Sequence, residues 1–321
     1  MSEGTVILCP GQGAQRVGMG RAWFDASPAA ARTFAAADEI LGDRLGASLS
    51  SLCFEGPEGE LNKTSVSQPA IFVTSAACRE ALIEAGAGPA SHLAGLSLGE
   101  YTALHLAGVM SFEDALEVVT LRGRAMQEAA EATAGGMVAL TGAEEAEARA
   151  LCEDAAEGGT LVPANFNAPG QIVLSGDAAA CARAARLAGE RGVRATPLTV
   201  AGAFHSPHMA PAAERLRVAL EKVTMHEPRC VVMSNVTGEP HGADASSIRS
   251  RLVEQLTEPV RWDRCGRWLA DHAPGEYHEL APGKVLSGLM RRIERSVRAT
   301  SHDEPDESFR ARPASGNGAS S

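Results

Sequence analysis

Residues 133–200 carry a pattern that the rest of the chain does not share, and it limits the fold more than any other feature. "GMVALTG" (136–142) reads as a strand and residues 143–156 as an acidic amphipathic helix. "TLVPANFN" and "QIVLSG" follow as two strands joined by the Asn167-Ala168-Pro169-Gly170 turn, then a helix over 177–191 and a strand in "VRATPLTV". The order β-α-β-β-α-β is the ferredoxin-like pattern, and roughly 65 residues suffice for a small domain of that kind. On either side the signals are those of a larger α/β unit. A β-branched strand at 5–9 ends in "PGQGAQ", Ser27-Pro28 marks a helix start, "PAIFVTSAACREALIEAG" from Pro69 reads as a helix ending on Gly86, and a strand–turn–helix around Ser97 is closed by Gly108. The capping-box-like "SFED" at Ser111 opens a long helix towards Ala130. After residue 200 come a helix from His208, the strand "CVVMSNV", helices from Ser246 and near Trp262, the strand "EYHELAP" and a helix from Lys284. The expected architecture is therefore α/β: a discontinuous large domain, 1–132 and 201–298, interrupted by a ferredoxin-like insert at 133–200. Residues 299–321, polar and rich in small side chains, are expected to form a disordered tail.

Charge and composition remove several function classes. A net charge of -11 over 321 residues opposes a nucleic-acid partner, which needs a basic surface. The densest basic run, "RRIERSVR" from Arg291, reads as a solvated helix end. No apolar run reaches membrane-spanning length, and "MSEGTVILCPGQG" lacks a basic n-region, so the cytoplasm is expected. Seven scattered cysteines with no C-x-x-C pair fit reduced, buried thiols and speak against a disulfide framework or a zinc site.

The chemistry concentrates at Gly95-Leu96-Ser97-Leu98-Gly99. A serine hydroxyl becomes a useful nucleophile only when a base takes its proton and donors stabilise the oxyanion. G-x-S-x-G between a strand and a helix meets the geometric part: glycines permit the sharp turn, and the N–H after the serine points at the developing charge. A small-residue packing turn remains the alternative on these residues alone. Among nine histidines, His205 in "VAGAFHSPHM" lies in a Gly-containing loop just after the insert, where it can line a cleft, whereas His105 falls inside a helix. His205 and His208 form an i, i+3 pair with no accompanying Cys, Asp or Glu cluster, so no metal site is expected.

These residues resemble malonyl-CoA:acyl-carrier-protein transacylases and the related acyltransferase domains of polyketide synthases. The resemblance runs from about Val6 to Ile293 through "PGQGAQ", "GLSLGEYTAL", "LRGRAMQEA", "GAFHSPHM", "QLTEPVRW" and "APGKVLSGL", in the family's order. It implies an α/β-hydrolase-like body with a ferredoxin-like insertion. It implies Ser97 as the nucleophile, His205 as base and then acid, and Arg122 as partner of the malonyl carboxylate. The backbone N–H groups of Gln12 and Leu98 become the oxyanion hole, the Gln255 carbonyl orients the histidine, and Phe204 limits room for an α-branch on the acyl group. Leu96 departs from the family's usual histidine before the nucleophile, which bears on acyl preference.

The resemblance implies a ping-pong transfer of malonyl from malonyl-CoA through Ser97 to the phosphopantetheine thiol of acyl-carrier protein, for fatty-acid or polyketide synthesis. No cofactor, nucleic acid or membrane is required, and a monomer is expected. Two rivals remain. An acyl-thioester hydrolase would share Ser97 and His205, although a strict α/β-hydrolase would place its histidine late, as at His272 or His278. A non-catalytic carrier-binding scaffold would need no nucleophile or base.

Overall fold

The structure, a computed structural model, describes residues 4–310. Among the described residues nine strands form two sheets: β1 (Gly4–Cys9), β2 (His92–Gly95), β3 (Gly135–Thr141), β4 (Leu161–Ala168), β5 (Gln171–Asp177), β6 (Arg194–Pro197), β7 (Val231–Val232), β8 (Gly275–Leu280) and β9 (Ala299–His302). The first sheet is parallel, in the order β7-β2-β1-β8-β9. β1 is apolar at successive residues because helices cover both faces. Ile7 and Cys9 join a core containing Phe34, Phe72 and Tyr101, while Val6 and Leu8 join Met233, Trp262 and Leu269 on the other side. β2 and β8 flank β1 on opposite sides, so the chain order reverses there. In open α/β sheets the crevice at the carboxyl ends of such strands is where ligands bind. The loops that leave those ends carry Gln12 and Ser97.

The second sheet is antiparallel, in the order β4-β5-β3-β6. Helices Glu145–Ala156 and Ala178–Glu190 bury an apolar cluster of its own, including Leu140, Leu151, Phe166 and Leu174. Its outer strand is not left open. Asn165 bridges in parallel to Val260, the Phe166 N–H donates to the Val260 carbonyl at 2.9 Å, and the Val260 N–H donates to the Ala164 carbonyl at 2.8 Å. An edge that could recruit a foreign strand is thereby used to join the two sheets' bodies.

Three expectations need correction. The segment from 299 is not disordered at its start. β9 adds to β8 in parallel, the Trp23 indole N–H donates to the His302 carbonyl at 2.9 Å, and Phe309 packs edge-on against Trp23 with ring centroids 4.9 Å apart. Polar composition misled because β9 needs only the open backbone edge of β8; the rest of the expected tail, 311–321, lies outside the described residues. Helix Thr64–Glu84 begins five residues upstream of Pro69, which the sequence marks as its start, so the proline lies inside the helix in its second turn. The strand read in "CVVMSNV" shrinks to Val231–Val232, after which the chain turns to bring Asn235 behind Ser97.

Candidate active site

Ser97 sits between β2 and helix Leu98–Leu106 with φ 51° and ψ -99°, a backbone conformation costly for a non-glycine residue. What holds it there is contact on all sides. A Cβ at Gly95 would lie 1.9 Å from the Gly99 carbonyl carbon, and one at Gly99 would lie 2.1 Å from the Cys9 oxygen. Strand, helix and the "PGQG" loop therefore touch through bare backbone. The Ser97 N–H donates to Asn235 Oδ1 at 2.6 Å, and Asn235 Nδ2 donates to the Gly95 carbonyl at 2.8 Å, so one buried side chain ties both ends of the turn.

His205 also lies in the left-handed region, at φ 54°, and is 4% exposed. Its Nε2 is 2.9 Å from Ser97 Oγ and its Nδ1 is 2.7 Å from the Gln255 carbonyl. A carbonyl only accepts, so Nδ1 carries the proton and Nε2 is free to accept from the serine. Burial, then the nearby Arg122 cation, pushes the imidazole down to about 4, against the pull of the Gln255 carbonyl. The ring is thus neutral at ordinary pH and faces the hydroxyl with a lone pair.

Arg122 projects from helix Phe112–Glu131, which comes close to helix Thr64–Glu84 at Gly123. The guanidinium is fully buried. It donates to Gln68 Oε1 at 2.7 Å, Gln255 Oε1 at 2.8 Å and Ser97 Oγ at 3.0 Å, and it lies 5.0 Å from the Tyr101 ring centroid. Among the described residues its Nε–H has no hydrogen-bond acceptor. Burial lowers its pKa from the usual arginine value. A buried cation whose side-chain hydrogen-bond partners are two amides and a hydroxyl is suited to an anionic ligand.

These groups open into a cleft of about 560 Å³ between the two sheets' bodies, lined by Gln12, Leu96, Ser97, Arg122, Phe204 and His205 with Met137, Asn165 and Asn167 of the second sheet. Of the residues singled out in the sequence, Gln12, Ser97, Arg122, Phe204 and His205 line this cleft, and Gln255 lies behind it, bonded to Arg122 and His205. Gln12 is on its rim, with its amide donating to Thr64 Oγ1 at 3.1 Å. Leu98 is the first residue of its helix and its side chain is buried. Phe204 is 6% exposed and forms part of the wall.

An acyl transferase domain matches residues 6–304. The chain belongs to that family. The acyltransferase is 41% identical to the malonyl CoA-acyl carrier protein transacylase of Bacillus subtilis over 94% of its own length and 93% of that protein's. It is 40% identical to the transacylase of Escherichia coli K12, over 93% and 96%. Among solved structures, the malonyl-CoA:acyl carrier protein transacylase of Xanthomonas oryzae pv. oryzae superposes with a TM-score of 0.89 at 43% identity, over 95% of this chain and 96% of that one. A malonyl-transacylase in complex with a type II PKS acyl-carrier protein gives 0.89 at 38%, over 95% and 97%.

Further buried polar residues, distant in sequence, support the site. Glu100 is buried and receives the Gln255 amide at 2.7 Å, the Asn235 N–H at 3.1 Å and His241 Nε2 at 2.6 Å. Gln255, expected to act through its carbonyl alone, also donates its side-chain amide to the Ser97 carbonyl at 3.0 Å. Gln68, Asn235 and His241 had no local signal. Glu100 had one: a carboxylate inside an apolar helix start, three residues after the serine, must have a partner.

Proposed function

We propose that this chain is an [acyl-carrier-protein] S-malonyltransferase that moves malonyl from malonyl-CoA to the phosphopantetheine thiol of acyl-carrier protein, in fatty-acid or polyketide synthesis. The observation that carries the reading is the buried Arg122 guanidinium held 3.0 Å from Ser97 Oγ. An acyl group with a free carboxylate can satisfy that cation while its thioester meets the serine; a simple acyl group cannot.

In the first half-reaction His205 Nε2 takes the Ser97 proton, Oγ adds to the thioester carbonyl, and the oxyanion is received by the Gln12 and Leu98 N–H groups. Collapse breaks the C–S bond, His205 returns the proton to the departing thiolate, and CoA leaves. In the second half-reaction the carrier's thiol gives its proton to His205 and attacks the Ser97 ester. The C–O bond then breaks, and the proton returns to Ser97. The Gln255 carbonyl stabilises the imidazolium in both halves, a duty that a carboxylate performs in other triads. Phe204 narrows the wall against an α-branched acyl group. Thioester and serine ester are similar in energy, so malonyl-CoA enters as substrate and no resident cofactor is needed.

The same reading makes 1–132 and 201–298 an α/β-hydrolase-like catalytic body and 133–200 a ferredoxin-like insert. The β3-α-β4-β5-α-β6 chain order with the sheet order β4-β5-β3-β6 supports it. It also takes the enzyme as a cytoplasmic monomer; among the described residues no helix is long and apolar enough to cross a membrane.

The test is a reaction containing the enzyme, malonyl-CoA and holo acyl-carrier protein, with malonyl-carrier and free malonate both quantified. Malonyl-carrier as the main product is the expected result. Malonate released at one rate with or without carrier makes the chain a hydrolase instead.

A further inference from the structure

Arg261 stands where the insert's sheet edge and the nucleophile's support meet. Its backbone N–H donates to the Asn235 carbonyl at 2.7 Å, and the same Asn235 holds the Ser97 N–H through its side chain. Its guanidinium lies 4.2 Å from the Phe166 ring centroid on β4 and donates to Glu145 Oε2 at 2.9 Å. Phe166 and Glu145 belong to the insert, whereas Asn235 belongs to the catalytic body. The arginine side chain is only 13% exposed, so a cation over an aromatic face and an ion pair share one partly desolvated place. On β4 the residues flanking Phe166, Asn165 and Asn167, point to the opposite face and line the cleft across from Ser97.

We propose that Arg261 is a positioning residue that clamps the wall formed by β4 against the support of the nucleophile, so that the acyl group on Ser97 is given to a thiol and not to water. The inference rests on the malonyl-transfer reading above. The insert is joined to the catalytic body by two chain crossings, by the His208–Asp177 contact at 2.8 Å and by the pairing of β4 with Val260, and Arg261 follows Val260 directly. With the clamp loosened, β4 withdraws and water reaches the ester. Its oxygen adds to the ester carbonyl and its proton passes to His205. The C–O bond to Ser97 then breaks, the serine recovers the proton, and malonate leaves. A planar guanidinium can stack on Phe166 and bond Glu145 together, whereas a lysine ammonium keeps the charge without the stacking fork.

The experiment compares wild type, Arg261→Ala and Arg261→Lys in reactions with malonyl-CoA and holo acyl-carrier protein, measuring the ratio of free malonate to malonyl-carrier. Amide hydrogen exchange at Phe166 and Val260 is followed in parallel. We expect the ratio to rise roughly tenfold in Arg261→Ala, the scale of losing one desolvated cation–π contact and one ion pair. Ser97 loading should change little, exchange at both amides should accelerate, and Arg261→Lys should recover part of each effect. An unchanged product ratio overturns the water-exclusion role, and unchanged exchange overturns the clamp. If wild type never loads malonyl, the functional reading fails, and exchange alone decides the clamp. Should Arg261→Ala not fold, Glu145→Gln supplies both readouts.

Discussion

Arg122 and His205 are set against each other across Ser97: the guanidinium donates to Oγ at 3.0 Å while His205 Nε2 lies 2.9 Å from the same oxygen. The cation that would receive the substrate's carboxylate is also one of the causes that hold the imidazole's pKa down. In the proposed mechanism, a carboxylate placed on Arg122 would cancel part of that field, and binding the right acyl group would make His205 a stronger base.

Replacing Arg122 with alanine should therefore separate acyl groups. Malonyl transfer should fall by roughly a hundredfold or more, the scale of losing a charge-assisted hydrogen-bonded pair in a buried site, with acetyl transfer less affected. Steady-state rates with malonyl-CoA and acetyl-CoA check this. Equal losses for both acyl groups remove the carboxylate clamp from the account.

The pH profile should show the same coupling. Activity through a base with a pKa of about 4 persists into acid, and kcat/KM should decline only as pH falls towards that value. In Arg122→Ala the acid limb should move up, because one cause of the depression is gone. For stability the sign is fixed by burial: His205 and His302 both titrate near 4 when folded and near their ordinary value of 6.5 when unfolded. Their contribution is complete above about 6.5 and is lost progressively as pH falls to about 4. Thermal melts across that window should show a falling midpoint.

Asn235→Ala should cost more than one hydrogen bond. It leaves the buried Ser97 N–H and Gly95 carbonyl without partners, at about 1–3 kcal/mol each, and frees the turn that carries Ser97. Denaturant melts should show the loss of stability, and Ser97 loading should slow in the fraction that remains folded. A variant with unchanged stability and loading would contradict the role assigned to this side chain.

Truncation before Ala299 should destabilise the whole enzyme and not merely trim it. It removes β9 from the edge of β8, the His302 carbonyl from Trp23, and Asp303, which receives the Gly283 N–H at 2.7 Å and Arg16 at 3.0 Å. A midpoint several degrees lower is expected, each kcal/mol being worth roughly 2–4 °C in a chain of this size. A shortened chain that melts like the full one would show that β9 contributes nothing.

The sequence was informative wherever a residue acts through its local setting. The elbow is legible because G-x-S-x-G at a strand–helix junction has few ways to fold, and the antiparallel sheet is legible because its strands are short apolar runs and the β4–β5 turn carries Pro and Gly. The first turn of helix Thr64–Glu84 was missed because Pro69 reads as a start. The contacts of Asn235, Gln68 and His241 were not legible, since each acts on a partner more than fifty residues away and polar residues in loops or apolar helices look alike before folding. The placement of β9 was hidden for a related reason: a strand of four polar or small residues is specified by the edge it joins, not by its own pattern.

The most direct measurement of the central claim is intact-protein mass spectrometry of the enzyme mixed with malonyl-CoA in the absence of carrier, with peptide mapping and a Ser97→Ala control. The account predicts one malonyl adduct per chain, mapped to Ser97, absent from the variant, and discharged when holo acyl-carrier protein is added. Transfer to the carrier that proceeds undiminished in Ser97→Ala, or an adduct on any other residue, would contradict it.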